Sequence, residues 1–211
     1  MVIYWLGHAS FLIDSPSGRI LTDPFDKQVG YPQYKEPVDI VTVSHQHYDH
    51  NAVEGLQGNP QVISQPGIFQ IGPVRIEGIE SFHDRKQGKL RGKNIIYKIS
   101  LEGLDIVHLG DLGHILETRQ IEAIGNVDIL LLPVGGIYTI DAHEAKTVAE
   151  QLKPVIIVPM HYKTKPLTIE LDPLEKFTGQ FDKTVKRPWL KVSREDLHES
   201  AGVIVLDYPG S

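Results

Sequence analysis

Val38-Asp39-Ile40-Val41-Thr42-Val43-Ser44-His45-Gln46-His47-Tyr48-Asp49-His50 carries an apolar run directly into three imidazoles and a carboxylate within six consecutive positions. The first six residues are β-branched or strand-compatible and read as a strand, so the histidines occupy the corner at its carboxyl end. Burying several imidazoles and a carboxylate without partners costs kilocalories for each group, whereas a divalent cation satisfies them together. His45, His47, Asp49 and His50 are therefore candidate metal ligands, set against the plainer reading of a solvated polar loop.

Upstream of this corner, Val2–Leu6, Ser10–Asp14 and Arg19–Asp23 have β character, with Ser15-Pro16-Ser17-Gly18 as a hairpin turn. Residues 26–37, with Gly30, Pro32 and Pro37, read as a loop whose Tyr31 and Tyr34 are candidates for lining an entrance. Downstream, 51–56 reads as a short helix, and 61–64 and 74–79 as strands, the second running on to His83. Arg85-Lys86-Gln87-Gly88-Lys89-Leu90-Arg91-Gly92-Lys93 follows at once, with five basic residues in nine. It is either a solvated hairpin or a flexible arm that attracts an anionic substrate.

Strands at 94–100 and 104–109 lead into Gly110-Asp111-Leu112-Gly113, whose flanking glycines let backbone approach closely. Residues 118–124 are helical in pattern, and 128–133 form an apolar run of the kind buried on both faces. The loop 134–140, carrying Tyr138, leads to Asp141 as an N-cap with Glu144 three residues on, which predicts a helix over 142–152. A last buried strand, 155–159, ends in Met160-His161-Tyr162; a helix over 173–181 and a strand over 203–206 complete the chain.

The set His45, His47, Asp49, His50 resembles the HxHxDH signature of the metallo-β-lactamase superfamily. Trp5-Leu6-Gly7-His8-Ala9-Ser10 and Thr22-Asp23-Pro24 resemble corners of its small branch that includes ascorbate-phosphate-lactonase-like proteins. The resemblance implies an α+β fold, a four-layer αββα sandwich of two packed mixed sheets with outer helices, formed by one domain over residues 1–211. It implies one cation on His45, His47 and His83, a second on Asp49, His50 and His161, and Asp111 shared between them, about 3.5 to 4 Å apart. By the same resemblance Asp49 orients and deprotonates the attacking water. His8, at the rim of the cleft, and Tyr138 contact substrate, while Asp23 accepts the N–H of a ligand imidazole.

Without any cysteine the ligands are nitrogen and oxygen only, which suits zinc first and manganese, nickel or iron as alternatives. The activity so implied is a metal-dependent hydrolase using a dinuclear-metal-activated hydroxide on a small, anionic ester, lactone or phosphoester. An iron-bearing oxidoreductase on the same ligand set is the alternative from another class, and an RNA- or DNA-processing nuclease a further one. A net charge of −6 disfavours a nucleic-acid surface. No apolar stretch reaches the length of a membrane span, and the first residues lack the pattern of a signal peptide, so the expected location is cytoplasmic. A homo-oligomer is compatible with all of this.

Overall fold

The computed structural model describes residues 1–210. Three strands open the chain, β1 (Val2–Gly7), β2 (Ser10–Ser15) and β3 (Gly18–Thr22), followed by β4 (Ile40–Thr42), β5 (Gln61–Ile63), β6 (Gly67–Ile71) and β7 (Val74–Phe82). Then come β8 (Lys93–Leu101), β9 (Leu104–His108), α1 (Thr118–Ile124), β10 (Ile129–Pro133), α2 (Ala142–Leu152) and β11 (Ile156–Met160). The last elements are α3 (Glu175–Thr178), β12 (Thr184–Arg187), β13 (Leu190–Lys191) and β14 (Gly202–Leu206). Two mixed sheets result: β13-β1-β2-β3-β4-β5 and β12-β14-β11-β10-β9-β8-β7-β6.

Alternation decides how the first sheet packs. Ile3, Phe11, Ile13, Ile20 and Ile40 belong to the large core shared with the second sheet, while Leu6, Leu12, Leu21 and Val41, one position off, belong to a second cluster. Successive strand side chains point to opposite faces, so the two clusters line the two sides of this sheet. The second cluster is closed by Phe25, Val29, Tyr31, Leu167 and Leu171, which come from loops and a 3₁₀ turn at Lys27–Val29. The expected α+β sandwich is present, but loops stand where an outer helix was expected on this side. Gly30, Pro32 and Pro37 break any helical run in the covering segment.

In the second sheet, β10 and β11 pair in parallel from Ile129↔Ile156 to Pro133↔Met160 and are buried along their whole length. Helix α1 packs on β7 and α2 on β10. Asp141 caps α2 by accepting from the His143 and Glu144 N–H groups, and Glu144 answers to the Asp141 N–H, the expected capping box. The sheets meet at Tyr97, fully buried on β8, whose hydroxyl lies 3.0 Å from both the Val43 and the Ile63 carbonyls of the first sheet.

Five elements depart from the sequence expectations. Residues 51–56 form a loop with a turn at Glu54–Gly55 rather than a helix, because Gly55 and Gly58 stop a helix and the Ala52 N–H is bound to the Pro24 carbonyl. The helix expected over 173–181 shrinks to Glu175–Thr178, ending at Gly179. Strands β6, β12 and β13 were not foreseen; β12, Thr-Val-Lys-Arg, is an edge strand without an apolar run. The sheets are not sequential halves of the chain, since β6 to β8 join the second sheet and β13 returns to the first.

Removing the hydroxyl that bridges the sheets leaves buried carbonyl capacity unmet. Tyr97→Phe should therefore lower unfolding stability by about 1–3 kcal/mol, read from urea denaturation with the slope of the transition unchanged.

Candidate metal centre

Every candidate ligand sits just past the carboxyl end of a strand, at one edge of the sandwich: His8 after β1, His45–His50 after β4, His83 after β7, Asp111 after β9 and His161 after β11. Asp111 is the meeting point. Its Oδ2 lies 3.1 Å from His83 Nε2, 3.2 Å from His161 Nε2 and 4.0 Å from His45 Nε2, and its Oδ1 lies 3.3 Å from His50 Nε2. His47 joins through Nδ1, 2.9 Å from His45 Nε2. The structure thus brings together His45, His47, His50, His83, Asp111 and His161 from four strand ends.

Asp49 lies at the edge of this group, with Oδ2 3.1 Å from His8 Nε2 and 3.7 Å from His50 Nε2. His8 was expected at the rim of a cleft, but it is fully buried beneath Asp49. It cannot touch a substrate from there. Tyr138, by contrast, is exposed and lines the cleft.

The backbone around the centre is tightly specified. Asp23, His8 and His161 all have left-handed φ angles, of 40°, 53° and 53°, which cost non-glycine residues about 1–3 kcal/mol each. Gly135 is required where the loop after β10 crosses the His161 corner, because a Cβ there would lie 2.0 Å from the His161 carbonyl oxygen. Behind the ligands, Asp23 accepts from Ser44 N at 2.7 Å and Ser44 Oγ at 2.5 Å, and sits 2.8 Å from His50 Nδ1. A carboxylate in that position makes His50 present Nε2 as the free nitrogen. Ser44 Oγ is also 3.0 Å from His45 Nδ1, and Asn94 accepts the Asp111 N–H at 2.9 Å. Ser44 and Asn94 carry no motif, and only the fold reveals them.

Electrostatics follow from burial and crowding. Desolvation, with His50 adding to it, pushes His45 down to about 2, and desolvation together with His161 pushes His8 to about 4. Both are thus neutral, with a lone pair to offer. Burial would also lower His50, but Asp111 and Asp23 outweigh it and raise it well above its ordinary value. Burial would raise Asp111, yet His161 and His50 hold it well below the usual carboxylate range.

These groups fit metal ions. Ring nitrogens of His45, His47 and His83, of His8, His50 and His161, and oxygen or nitrogen atoms of His45, His50 and Asp111 form three groups within 4.8 Å. His50 Nε2 and Asp111 Oδ1 face each other, yet both are buried without a hydrogen-bond partner. Buried polar atoms left unpaired cost about 1–3 kcal/mol each, and a cation between them removes that cost.

A cleft of ≈ 530 Å³ opens over the centre, lined by His47, Asp49, His83, Asp111 and His161 below and by Tyr48, Leu90, Arg91 and Tyr138 above. The basic segment is not a flexible arm. Buried Asp84 accepts the backbone N–H groups of Lys86, Gly88, Leu90 and Arg91 at 2.7–3.0 Å, folding the segment into one fixed loop. Burial would raise the Asp84 carboxyl, but these N–H groups, Arg91 first, hold it below its ordinary value. Arg85 pairs with Glu144 at 2.7 Å, while Arg91 stacks over the Tyr138 ring at 5.4 Å. Of the entrance candidates, Tyr31 is buried against Trp5 and Tyr34 borders other pockets, so neither lines the cleft. Tyr162 packs into the core 5.0 Å from Trp5, and His108 spends both ring nitrogens on Ala9 O and Gly110 N.

Residues 2–161 match the family described as the beta-lactamase superfamily domain. A candidate zinc-dependent hydrolase of the metallo-β-lactamase superfamily from Thermotoga maritima is 41% identical, with a TM-score of 0.85 over 98% of both chains. A UPF0173 metal-dependent hydrolase of Thermococcus onnurineus is 35% identical over 82% of this chain and 89% of its own length. A metallohydrolase of Ignicoccus hospitalis shares the fold, with a TM-score of 0.69 at 22% identity over 100% of this chain and 96% of that one. None of these carries the ascorbate-phosphate-lactonase name. Among the described residues no helix is long and apolar enough to cross a membrane.

If Asp23 orients His50 as the geometry indicates, Asp23→Asn should weaken metal affinity by roughly 10- to 100-fold. Competition against a chromophoric chelator measures this directly, and an unchanged affinity would remove the role.

Proposed function

The chain belongs to the metallo-β-lactamase superfamily, and from that premise we propose that it is a metal-dependent hydrolase with a dinuclear centre acting on a small anionic ester, lactone or phosphoester. The observation that carries the reading is the convergence of imidazoles on Asp111 at the floor of a cleft whose rim holds Arg91. His45, His47 and His83 would hold one cation, Asp49, His50 and His161 the other, and Asp111 both. Nitrogen and oxygen donors without a thiolate suit zinc, manganese or nickel.

When bound, the cations supply Lewis acidity and a water molecule acidified toward neutrality, so that no serine or cysteine nucleophile is needed. The protein's own residues do the rest. Asp49 is held below the ordinary carboxylate range: burial opposes this, but the bond to His8 and the charge of His50 overcome it. Lining the cleft beside these imidazoles, Asp49 would orient the attacking water and accept its proton. The Asp23–His50 and Ser44–His45 contacts keep the imidazoles aimed inward, which saves reorganisation during the reaction.

Arg91 is the basic side chain among the described residues that line the cleft, and Tyr138 beneath it fixes the guanidinium in place. An anionic group on the substrate pairs with Arg91, and its apolar portion lies on the exposed faces of Tyr48, Leu90 and Tyr138. At the floor His45, His50, His83 and His161 are buried, whereas His47 is exposed to the cleft.

Stripping the protein with a chelator should abolish hydrolysis, and restoring zinc or manganese should recover it. The same restoration should raise stability by about 2.7 kcal/mol at a hundredfold excess of cation over its Kd, read as a rise in Tm. A panel of phosphodiesters, lactones and esters, each with zinc, manganese or nickel added back, identifies the substrate class. Bound iron with a redox-dependent visible band after anaerobic purification would overturn the hydrolase reading. Arg91→Ala should raise KM for an anionic substrate with little change in kcat, and the loss should shrink as salt is added. Equal KM values at low salt would exclude Arg91 from substrate binding.

A further inference from the structure

His8, His83 and His161 share one pattern that an ordinary core histidine does not. In each, Nε2 faces a carboxylate of the centre, Asp49 for His8 and Asp111 for the other two. In each, Nδ1 is buried without a partner. His108 provides the contrast within the same molecule: equally buried, it hydrogen-bonds through both nitrogens and has nothing left to offer.

We propose that His8 is a direct ligand of the second cation, completing with Asp49, His50 and His161 a coordination set that also includes Asp111. This rests on the dinuclear reading above. A ring nitrogen of His8 lies within 4.8 Å of those of His50 and His161, and the His8 ring centroid is 4.3 Å from that of His161 and 5.0 Å from that of His50. Zinc binds imidazole nitrogen at about 2.0–2.1 Å, so three nitrogens gathered within 4.8 Å of one another need to close in by only a fraction of an ångström each to share one ion.

The backbone is arranged to hold His8 there. Gly7 at φ 111° and His8 at φ 53° turn the chain sharply out of β1. The His8 carbonyl accepts both the Trp5 indole N–H and the His161 backbone N–H, each at 3.0 Å, which ties this corner to the other histidine corner of the same set. A left-handed backbone at His8 costs free energy, so an imidazole held there at full burial calls for something that uses it. Substrate contact does not, because no part of the residue is exposed. The two cations would then differ in ligand number, with His45, His47, His83 and Asp111 on the first and His8, Asp49, His50, His161 and Asp111 on the second.

The test uses the full chain, zinc alone and two variants. Wild-type protein should carry two equivalents of zinc after gel filtration. His8→Ala should keep one and bind the second more than about 100-fold more weakly, beyond the roughly 10- to 100-fold that losing a supporting hydrogen bond costs. His8→Gln retains an amide N–H for Asp49 but no imidazole, so it should behave like His8→Ala; the one retained equivalent reports that either variant is folded. In cobalt-substituted protein both variants should also change the visible absorption of one site only. Two tightly held equivalents in His8→Ala, or recovery of wild-type affinity in His8→Gln, would overturn the inference and leave the dinuclear reading standing. Fewer than two equivalents in the wild type would overturn both.

Discussion

A single carboxylate in a dry pocket governs this molecule. Asp111 is buried, carries negative charge, and is ringed by imidazole nitrogens delivered from β4, β7 and β11. In a medium of low dielectric such a charge is costly unless positive charge lies beside it. His50, which Asp111 and Asp23 push toward its protonated form, partly supplies it in the protein alone, and a cation supplies it fully. The electrostatic demand of this pocket therefore favours a bound cation.

The surrounding fold can be understood as what it takes to hold that arrangement in place. Two sheets pack so that their strand ends open toward one edge, and Tyr97 fastens them immediately behind the His45 corner. Left-handed residues at His8, Asp23 and His161 turn three of the corners, each bracing another through a hydrogen bond: Asp23 to Ser44 and His50, His161 to His8. Asp84 does for the rim what Asp23 does for the floor. By collecting four backbone N–H groups it converts a lysine- and arginine-rich stretch, which would otherwise be solvated and mobile, into a wall bearing Leu90 and Arg91.

Much of this was legible in the sequence, for identifiable reasons. An apolar run reveals the strand that delivers His45, His47, Asp49 and His50 to its carboxyl end, whereas His83, Asp111 and His161 were assigned through the resemblance to the superfamily, and the fold brings them to the same edge. The capping box at Asp141 and Glu144 is equally local, and α2 has the predicted limits. The supporting residues were not legible, because Ser44, Asn94 and Asp84 act through partners that only the tertiary structure brings near. His8 was placed on the wrong level of the site for a related reason: a motif gives proximity to a centre and says nothing about which side of it is open to solvent. Strands β12 and β13 escaped because edge strands need no apolar run, and the outer cover of the first sheet because proline-rich loops bury apolar side chains without periodicity.

The hydrogen bond from the His161 N–H to the His8 carbonyl joins two corners separated by most of the chain. During synthesis the first fifty residues leave the ribosome with His8, His45, His47, Asp49 and His50 already present, while His161 is still to be translated. The candidate centre is therefore incomplete until β11 pairs with β10 and the His161 corner closes, which ties assembly of the site to a late part of the chain.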